Sequence, residues 1–327
     1  MNISYAALLE QVKSYQPGKY HSTRNYINGA VTSWSPYISR GFLSPVLVME
    51  QLKSKHSYQE CIGLMQQMAW REYFQRVWQQ KGDLILQDLK SSQTNIILEQ
   101  LPLPIQNANT GIHAIDNAIH QLYDTGYLHN HLRMYLSMLH SNIFKAAWLP
   151  GAKWMYAHLL DHDPAANFLS WQWVAGTFSS KKYIANQDNI NKYCHTKQSN
   201  TFLDISYDDF DTLQIPKELL DTDFYLLKTP LPEKEFIKID EKKPTYIYNF
   251  YNLDPLWDQE ICANRILLLE PSHFNQYPIS LNSMNFMLEF SKNNIDNIQL
   301  YVGEFNEFIK DHAPSEVNYK EHPLNSH

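Results

Sequence analysis

Apolar and polar positions along the chain fall into two textures. Up to about residue 195 the apolar residues recur at helical spacing, and beyond residue 244 they gather into short runs. Residues 3–15 predict a short amphipathic helix ended by Gln16-Pro17-Gly18, because proline and glycine cannot continue it. The loop from Lys19 to Gly29 leads into Thr32-Ser33-Trp34-Ser35-Pro36, a hydroxyl-rich run ahead of a helix. Its donors suit an anion at a helix start, and ordinary hydroxyl capping explains the same pattern. Val46 to Leu52 and Ser57 to Gln80 are helical by period, the second lined on one side by Met65, Met68, Ala69, Tyr73, Phe74 and Val77. Residues 82–110 form a looser connection in which Leu101-Pro102-Leu103-Pro104 breaks any helix. Ile112 to Asp124, Asn130 to Ala147 and Ala152 to Leu160 are again helical, joined by short turns. After an acidic, polar excursion from Asp204 to Asp223, Tyr246 to Phe250, Arg265 to Leu269 and Gln299 to Val302 read as strands around a helix from Asn282 to Ser291. Strand, helix and strand at that spacing predict one right-handed βαβ unit.

A chain of 327 residues suits one large domain or two at about 150 residues each. Having only 10 glycines, and neither a GxGxxG nor a GxxxxGK[ST] run, argues against a Rossmann core and against nucleotide binding through those loops. The 3 cysteines, Cys61, Cys194 and Cys262, cannot supply the four thiolates of an iron–sulfur cluster, and their scatter fits a reducing compartment. No signal peptide or membrane span is read from the sequence, and the expected location is the cytoplasm. The formal charge of −7 hides a split: residues 1–200 carry 17 Lys+Arg against 12 Asp+Glu, and residues 201–327 carry 10 against 22. A mildly basic body with an acidic appendage is compatible with a phosphate-backbone partner.

The stretch Asp161 to Tyr193 changes the picture most. It holds two acids at i,i+2, an Ala-Ala-Asn step and two tryptophans flanking a glutamine, which is costly for a helix that only fills space and reads as the wall of a site. Together with Tyr127 to Met134 (YLHNHLRM) and Trp70 to Phe74 (WREYF), it resembles the flavin-binding helical domain of the photolyase/cryptochrome family over roughly residues 15–195. The resemblance implies a mainly α fold: an all-α domain at 1–200 binding flavin adenine dinucleotide (FAD), an acidic linker at 201–243 and a small α/β (βαβ) region at 244–327. Arg265 to Pro271, Met284 to Phe290 and Ile298 to Glu304 are similar to part of the family's antenna domain, too short to be complete, so no antenna chromophore is expected.

Carried over residue by residue, the resemblance places Tyr20 near the cofactor and Arg24 toward DNA phosphate. Thr32, Ser33 and Ser35 resemble the loop around the pyrophosphate, one residue shorter than the family pattern between Ser33 and Ser35. Arg133 matches the arginine that pairs with an acid beside the isoalloxazine, Asp161 matches that acid through a two-point contact, and Asp163 takes the next acidic position. Asn167 falls where the family places the side chain facing flavin N5, and a helix-capping amide is its plain alternative. Trp70 and Trp173 resemble the indoles that stack on a flipped-out pyrimidine dimer, with Asn130 beside them. Gln67 replaces the family's glutamate and His131 replaces an arginine of its Asn-Arg-Leu-Arg run.

Trp171 and Trp148 match the inner and middle members of the family's tryptophan relay. The outer one is missing, with Asn95 near its place, so another aromatic, Trp154 or Trp78, would have to serve. Core packing is the plain reading of these indoles. His158 and His162 lie at i,i+4 without an evident third metal ligand, His129 and His131 at i,i+2 predict opposite helix sides, and no metal site is expected. The expected function is light-driven, FAD-dependent splitting of cyclobutane dimers in DNA, with single-stranded DNA the easier substrate. A signalling flavoprotein with a protein partner is the alternative, and a helical adaptor without flavin a third.

Overall fold

The computed structural model describes residues 4–324. The chain forms, in order, α1 (Tyr5–Ser14), α2 (Pro45–Lys53), α3 (Tyr58–Lys81), β1 (Leu101–Pro102), α4 (His113–Thr125), α5 (Asn130–Met138), α6 (Trp148–His158), α7 (Pro164–Ala175) and α8 (Gln187–Cys194). It continues through β2 (Thr222–Asp223), β3 (Thr245–Tyr248), β4 (Asn264–Leu269), α9 (Leu281–Asn294), β5 (Ile298–Val302), α10 (Phe305–His312) and β6 (Val317–Tyr319), with short helical turns between. The fold is mainly helical with a small parallel sheet, as the sequence predicts. Among the described residues no helix is long and apolar enough to cross a membrane.

These elements gather into two compact units that interleave along the chain: Met1–Gln16, Thr32–Cys61 and Leu227–His327 form one, and Pro17–Val31 with Ile62–Leu226 the other. The sequence places its boundaries at 200 and 243, whereas the contacts join early segments to the late α/β region.

In the α/β unit the strand order is β5-β4-β3-β6, every pair parallel. The expected βαβ unit is β4-α9-β5, extended here by β3 and β6. β4 (NRILLL) is buried along its whole length, the pattern of a central parallel strand covered on both faces. Ile247, Ile266, Leu268 and Phe308 pack with Ile237 as one core cluster. Phe286 and Phe290 of α9 pack on Tyr37, and Phe290 also on Phe42, which gathers the early segment into this unit. The expected first helix runs from Tyr5, capped by Ser4, whose side chain accepts from Ala7 N; residue 3 lies outside the described residues.

In the helical unit α7 is buried nearly all round, which is the signature of a helix at the centre of a bundle. Asp163 caps it, Pro164 opens it, and Gly176 closes it in the left-handed region at φ 84°. The glutamine between its tryptophans has a structural task. Gln172 is buried, donates from Nε2 to Ile85 O (2.8 Å) and accepts from Leu89 N (3.1 Å), which ties the loose 82–110 connection to the central helix. α5 runs into a π-helical turn (Leu139–Ile143) and stops short of the expected Ala147, while α6 begins at Trp148 rather than Ala152. The acidic excursion is anchored at its end, where β2 pairs antiparallel with β1.

Candidate flavin site in the helical unit

α5, the loop before α7 and α7 itself supply the charged centre. Arg133 projects from α5, and its Nη1 lies 2.8 Å from Asp161 Oδ2. The expected two-point contact is a single one, because Arg133 Nε is spent on the Leu128 carbonyl at 2.9 Å. That second bond fixes the guanidinium plane by the backbone and leaves Nη2 uncommitted.

Asp163 has a different environment. Its carboxylate accepts from Ala166 N (2.9 Å) as the cap of α7, from Gln75 Nε2 to both oxygens (2.8 and 2.9 Å), and pairs with Arg71 at 3.1 Å. Arg71 and Gln75 sit at i and i+4 on α3, one turn beyond Gln67, so a polar stripe on that helix reaches this acid. Neither was singled out from the sequence; the i,i+4 spacing of Gln67, Arg71 and Gln75 among apolar residues was the available signal.

Asn167 lies one turn into α7, buried, and its Nδ2 donates to Ala152 O of α6 at 2.8 Å. It is therefore no capping amide, and its oxygen is not engaged by that bond. Three other buried groups nearby in the sequence have polar atoms with no hydrogen-bond partner: Trp171 Nε1, both ring nitrogens of His131, and His129 Nε2. Buried polar atoms left unpaired cost free energy unless another group meets them. Such orphans on helices that also carry an anchored arginine–carboxylate pair fit a polar, ring-bearing cofactor held within this unit.

The two histidines differ from the expected opposite helix sides. His129 precedes α5 as its cap, accepting at Nδ1 from His131 N (3.1 Å), and both rings are buried. Burial, then His129 and Arg24, push His131 down to about 4, so it is a neutral ring at ordinary pH. It packs 4.7 Å from Tyr193 and 4.6 Å from Tyr135.

The segment carrying Tyr20 and Arg24 docks in the same unit. Gly63 on α3 makes room for it: a Cβ there would come within 2.7 Å of His21 Cβ. Arg24 Nη1 donates to Gln67 Oε1 at 3.4 Å, which joins two of the expected DNA-facing residues. Burial raises the Tyr20 phenol pKa, partly offset by Arg24. Trp70 and Trp173 are 55% and 43% exposed, so neither is a core indole, and Asn130 is exposed as well. Trp70 packs edge-on to Tyr73 (5.7 Å), and Tyr73 stacks with Phe178 (6.3 Å).

Thr32, Ser33 and Ser35 belong to the α/β unit. Ser35 starts a single helical turn (Ser35–Ile38) whose cap position is Trp34, without a side-chain cap bond. That turn is only 4 residues long, too short a helix to favour an anion.

Trp171 and Trp148 are both buried. The Trp148 Nε1 donates to Asp88 Oδ1 at 2.7 Å, and Gly151, three residues on, lies against the Trp171 ring. Asn95 is exposed and left-handed at φ 62°. Trp154 and Trp78 are sealed in the core, so neither ends a relay at the surface. Among the described residues no group of three or more His, Cys, Asp or Glu could hold a metal.

Residues 64–204 match the family model of the FAD binding domain of DNA photolyase. Over 166 residues the chain is 29% identical to a chloroplastic/mitochondrial cryptochrome DASH of Solanum lycopersicum, covering 48% of this chain and 29% of that protein. Over 170 residues it is 26% identical to a deoxyribodipyrimidine photo-lyase of Halobacterium salinarum, covering 49% and 35%. The chain thus spans about a third of the curated relatives it matches. Among solved structures, a cryptochrome from Synechocystis aligns with a TM-score of 0.52 and 21% identity, covering 58% of this chain and 43% of that one, a likeness of fold.

Proposed function

From a helical unit whose residues 64–204 match the model of the FAD binding domain of DNA photolyase, we propose that the protein is a blue-light-driven, FAD-dependent DNA photolyase acting on cyclobutane pyrimidine dimers. The observation that carries this reading is the constellation on α5 to α7: the Arg133–Asp161 pair, the anchored Asn167 amide and the unpaired Trp171, His129 and His131 nitrogens.

Bound and reduced, FAD would supply the single electron by which light opens the dimer; Arg133, Asp161 and Asn167 would hold it. Arg133 and Asp161 orient the cofactor as a charge-compensated pair, and Asn167 presents an amide, which donates a hydrogen bond but yields no proton readily. Trp171 and Trp148 lie on the route that resupplies electrons. Trp70 and Trp173, exposed and flat, offer stacking surfaces for unpaired bases, each worth about 1–3 kcal/mol per stacked base. Arg24 meets a phosphate and holds Gln67 toward the lesion. Gln67 brings hydrogen bonds without charge, so substrate already opened, as in single-stranded DNA, is favoured because flipping costs less there. The free cysteines suit a reducing compartment such as the cytoplasm.

The test is to illuminate the flavin-loaded, reduced protein with dimer-containing single- and double-stranded oligonucleotides. Repair is expected, faster on the single strand, and Trp70→Ala or Trp173→Ala lowers substrate affinity about 5- to 150-fold, matching one lost stack. Absence of repair on both substrates overturns the reading. Gln67, uncharged where dimer-splitting relatives carry an acid, favours a second reading, a light sensor. A light-dependent change in proteolysis of residues 204–327 without repair supports that one.

A further inference from the structure

α6 carries a second indole besides Trp148, and its surroundings form a chain of rings. Trp154 is fully buried, and its Nε1 donates to Tyr123 Oη on α4 at 2.9 Å. Tyr123 in turn donates to the Gln106 carbonyl at 2.7 Å. Ring centroids then step from Trp154 to Tyr123 (6.1 Å), from Tyr123 to His158 (4.6 Å) and from His158 to Tyr225 (5.8 Å). The last step is also a hydrogen bond, with Tyr225 Oη 2.5 Å from His158 Nε2. Tyr225 reaches this place because the acidic excursion is pinned: β2 pairs with β1, and Leu103 N donates to Asp221 O at 2.8 Å. A buried indole is thereby connected through two side chains to a half-buried phenol.

We propose that Tyr225 and His158 form a redox-active tyrosine site, at which a hole arriving from Trp154 or Tyr123 settles as a neutral phenoxyl radical. A phenol that loses an electron becomes a strong acid, so the oxidised state persists only where the proton has somewhere to go. The two tyrosines differ in this respect. Tyr123 donates to a backbone carbonyl, which takes no proton, whereas Tyr225 Oη shares a hydrogen bond with an imidazole nitrogen, which takes one when the ring carries its proton on Nδ1. Burial holds His158 down to about 4, so the ring is neutral at ordinary pH, and in its Nδ1–H tautomer the Nε2 lone pair accepts the phenol proton. The groups facing it are Tyr123, Trp154 and Tyr225, none of them charged in that range. The step balances with one external one-electron oxidant. Tyr225 gives up one electron to it, the O–H bond breaks, an N–H bond forms at His158 Nε2, and the products are the phenoxyl radical, the imidazolium and the reduced oxidant. Re-reduction by one electron returns the proton to the phenol.

This proposal stands apart from the photolyase reading, since any one-electron oxidant serves. It is tested on the full chain by flash-quench oxidation with a ruthenium polypyridyl complex and a sacrificial acceptor, reading transient absorption and freeze-trapped electron paramagnetic resonance. The wild type is expected to give a lasting phenoxyl signal. Tyr225→Phe, a conservative change at a half-buried position, lowers that signal at least about twofold and leaves more indole radical, because the hydrogen-bonded phenol–imidazole pair is then gone. His158→Gln keeps a hydrogen-bond acceptor but no base and does the same with Tyr225 in place. A phenoxyl yield equal to wild type in Tyr225→Phe overturns the site. Loss in Tyr225→Phe with no loss in His158→Gln overturns the coupling to the imidazole. A bond that merely pins the excursion would change its stability and leave both yields unmoved.

Discussion

Asp161 and Asp163 stand two residues apart and hold different things. Asp161 meets one guanidinium nitrogen of a half-buried arginine, while Asp163 is met by a helix N–H, an amide and a second guanidinium. Its removal therefore strips an N-cap, worth about 1 kcal/mol, and charge-assisted bonds worth about 1.5–3 kcal/mol. Asp163→Ala is expected to destabilise the flavin-free protein by about 3 kcal/mol in urea denaturation. Asp161→Asn costs the flavin-free protein clearly less and shows itself instead as weaker flavin retention on purification. If the two substitutions cost the same without flavin, the division of tasks is wrong. The sequence marks both acids for the site but has no means to separate them, since the partners of Asp163, Arg71 and Gln75, come from a helix some 90 residues earlier.

At the scale of elements, α6 and α7 approach closely at Gly151, where a Cβ would fall 2.6 Å from the Trp171 ring and 2.9 Å from His140. Gly151→Ala forces an indole or a whole helix to move. The expected cost is about 1–3 kcal/mol, the range of overpacking a tight interior, against the small gain alanine normally brings to a helix. Urea denaturation measures it, and a stabilised variant would show that the contact yields freely. Long periodic helices such as α3 and α4 are legible from their apolar spacing, as is β4 from its unbroken apolar run. What escapes is set by partners distant in sequence. α5 stops early in a π turn where Asn142 Nδ2 donates to Val174 O and Tyr183 O, satisfying the end of α7. β1 and β2 are two residues each and exist only by pairing across more than a hundred positions. β6 is three residues long and gains its definition from β3. Likewise Tyr37 and Phe42 carry no local mark that Phe286 and Phe290 are their neighbours. The chemistry follows the same division: the Arg133, Asp161 and Asn167 positions stand out in their motifs, while Tyr225 lies in the acidic linker, without a motif, and acquires its histidine only through the fold.

Across the whole molecule, buried neutral histidines set how it meets acid. His131, His140 and His158 in the helical unit and His273 in the α/β unit are each pushed down to about 4, in every case first by burial. An imidazole whose folded pKa lies below its unfolded value of about 6.5 takes up its proton first in the unfolded chain. The stability tied to its neutral state is therefore complete above about pH 6.5 and drains away as pH falls toward 4. Each such group contributes a slope of at most about 1.4 kcal/mol per pH unit within that window, so the four together outweigh any single substitution considered above. Urea denaturation followed by circular dichroism is expected to show stability level from pH 7.5 to 6.5 and falling steeply from 6 to 4.5. His140 is the cleanest probe because it is fully buried, with its Nε2 facing the Ala147 carbonyl at 2.8 Å and its ring packed on Trp171. His140→Gln keeps a donor for that carbonyl and carries no proton to gain. It lowers stability at pH 7 through poorer packing, yet flattens the acid slope by about 1 kcal/mol per pH unit. An unchanged slope in that variant would mean the interior admits the proton without unfolding, and that His140 is not among the groups through which acid destabilises the fold.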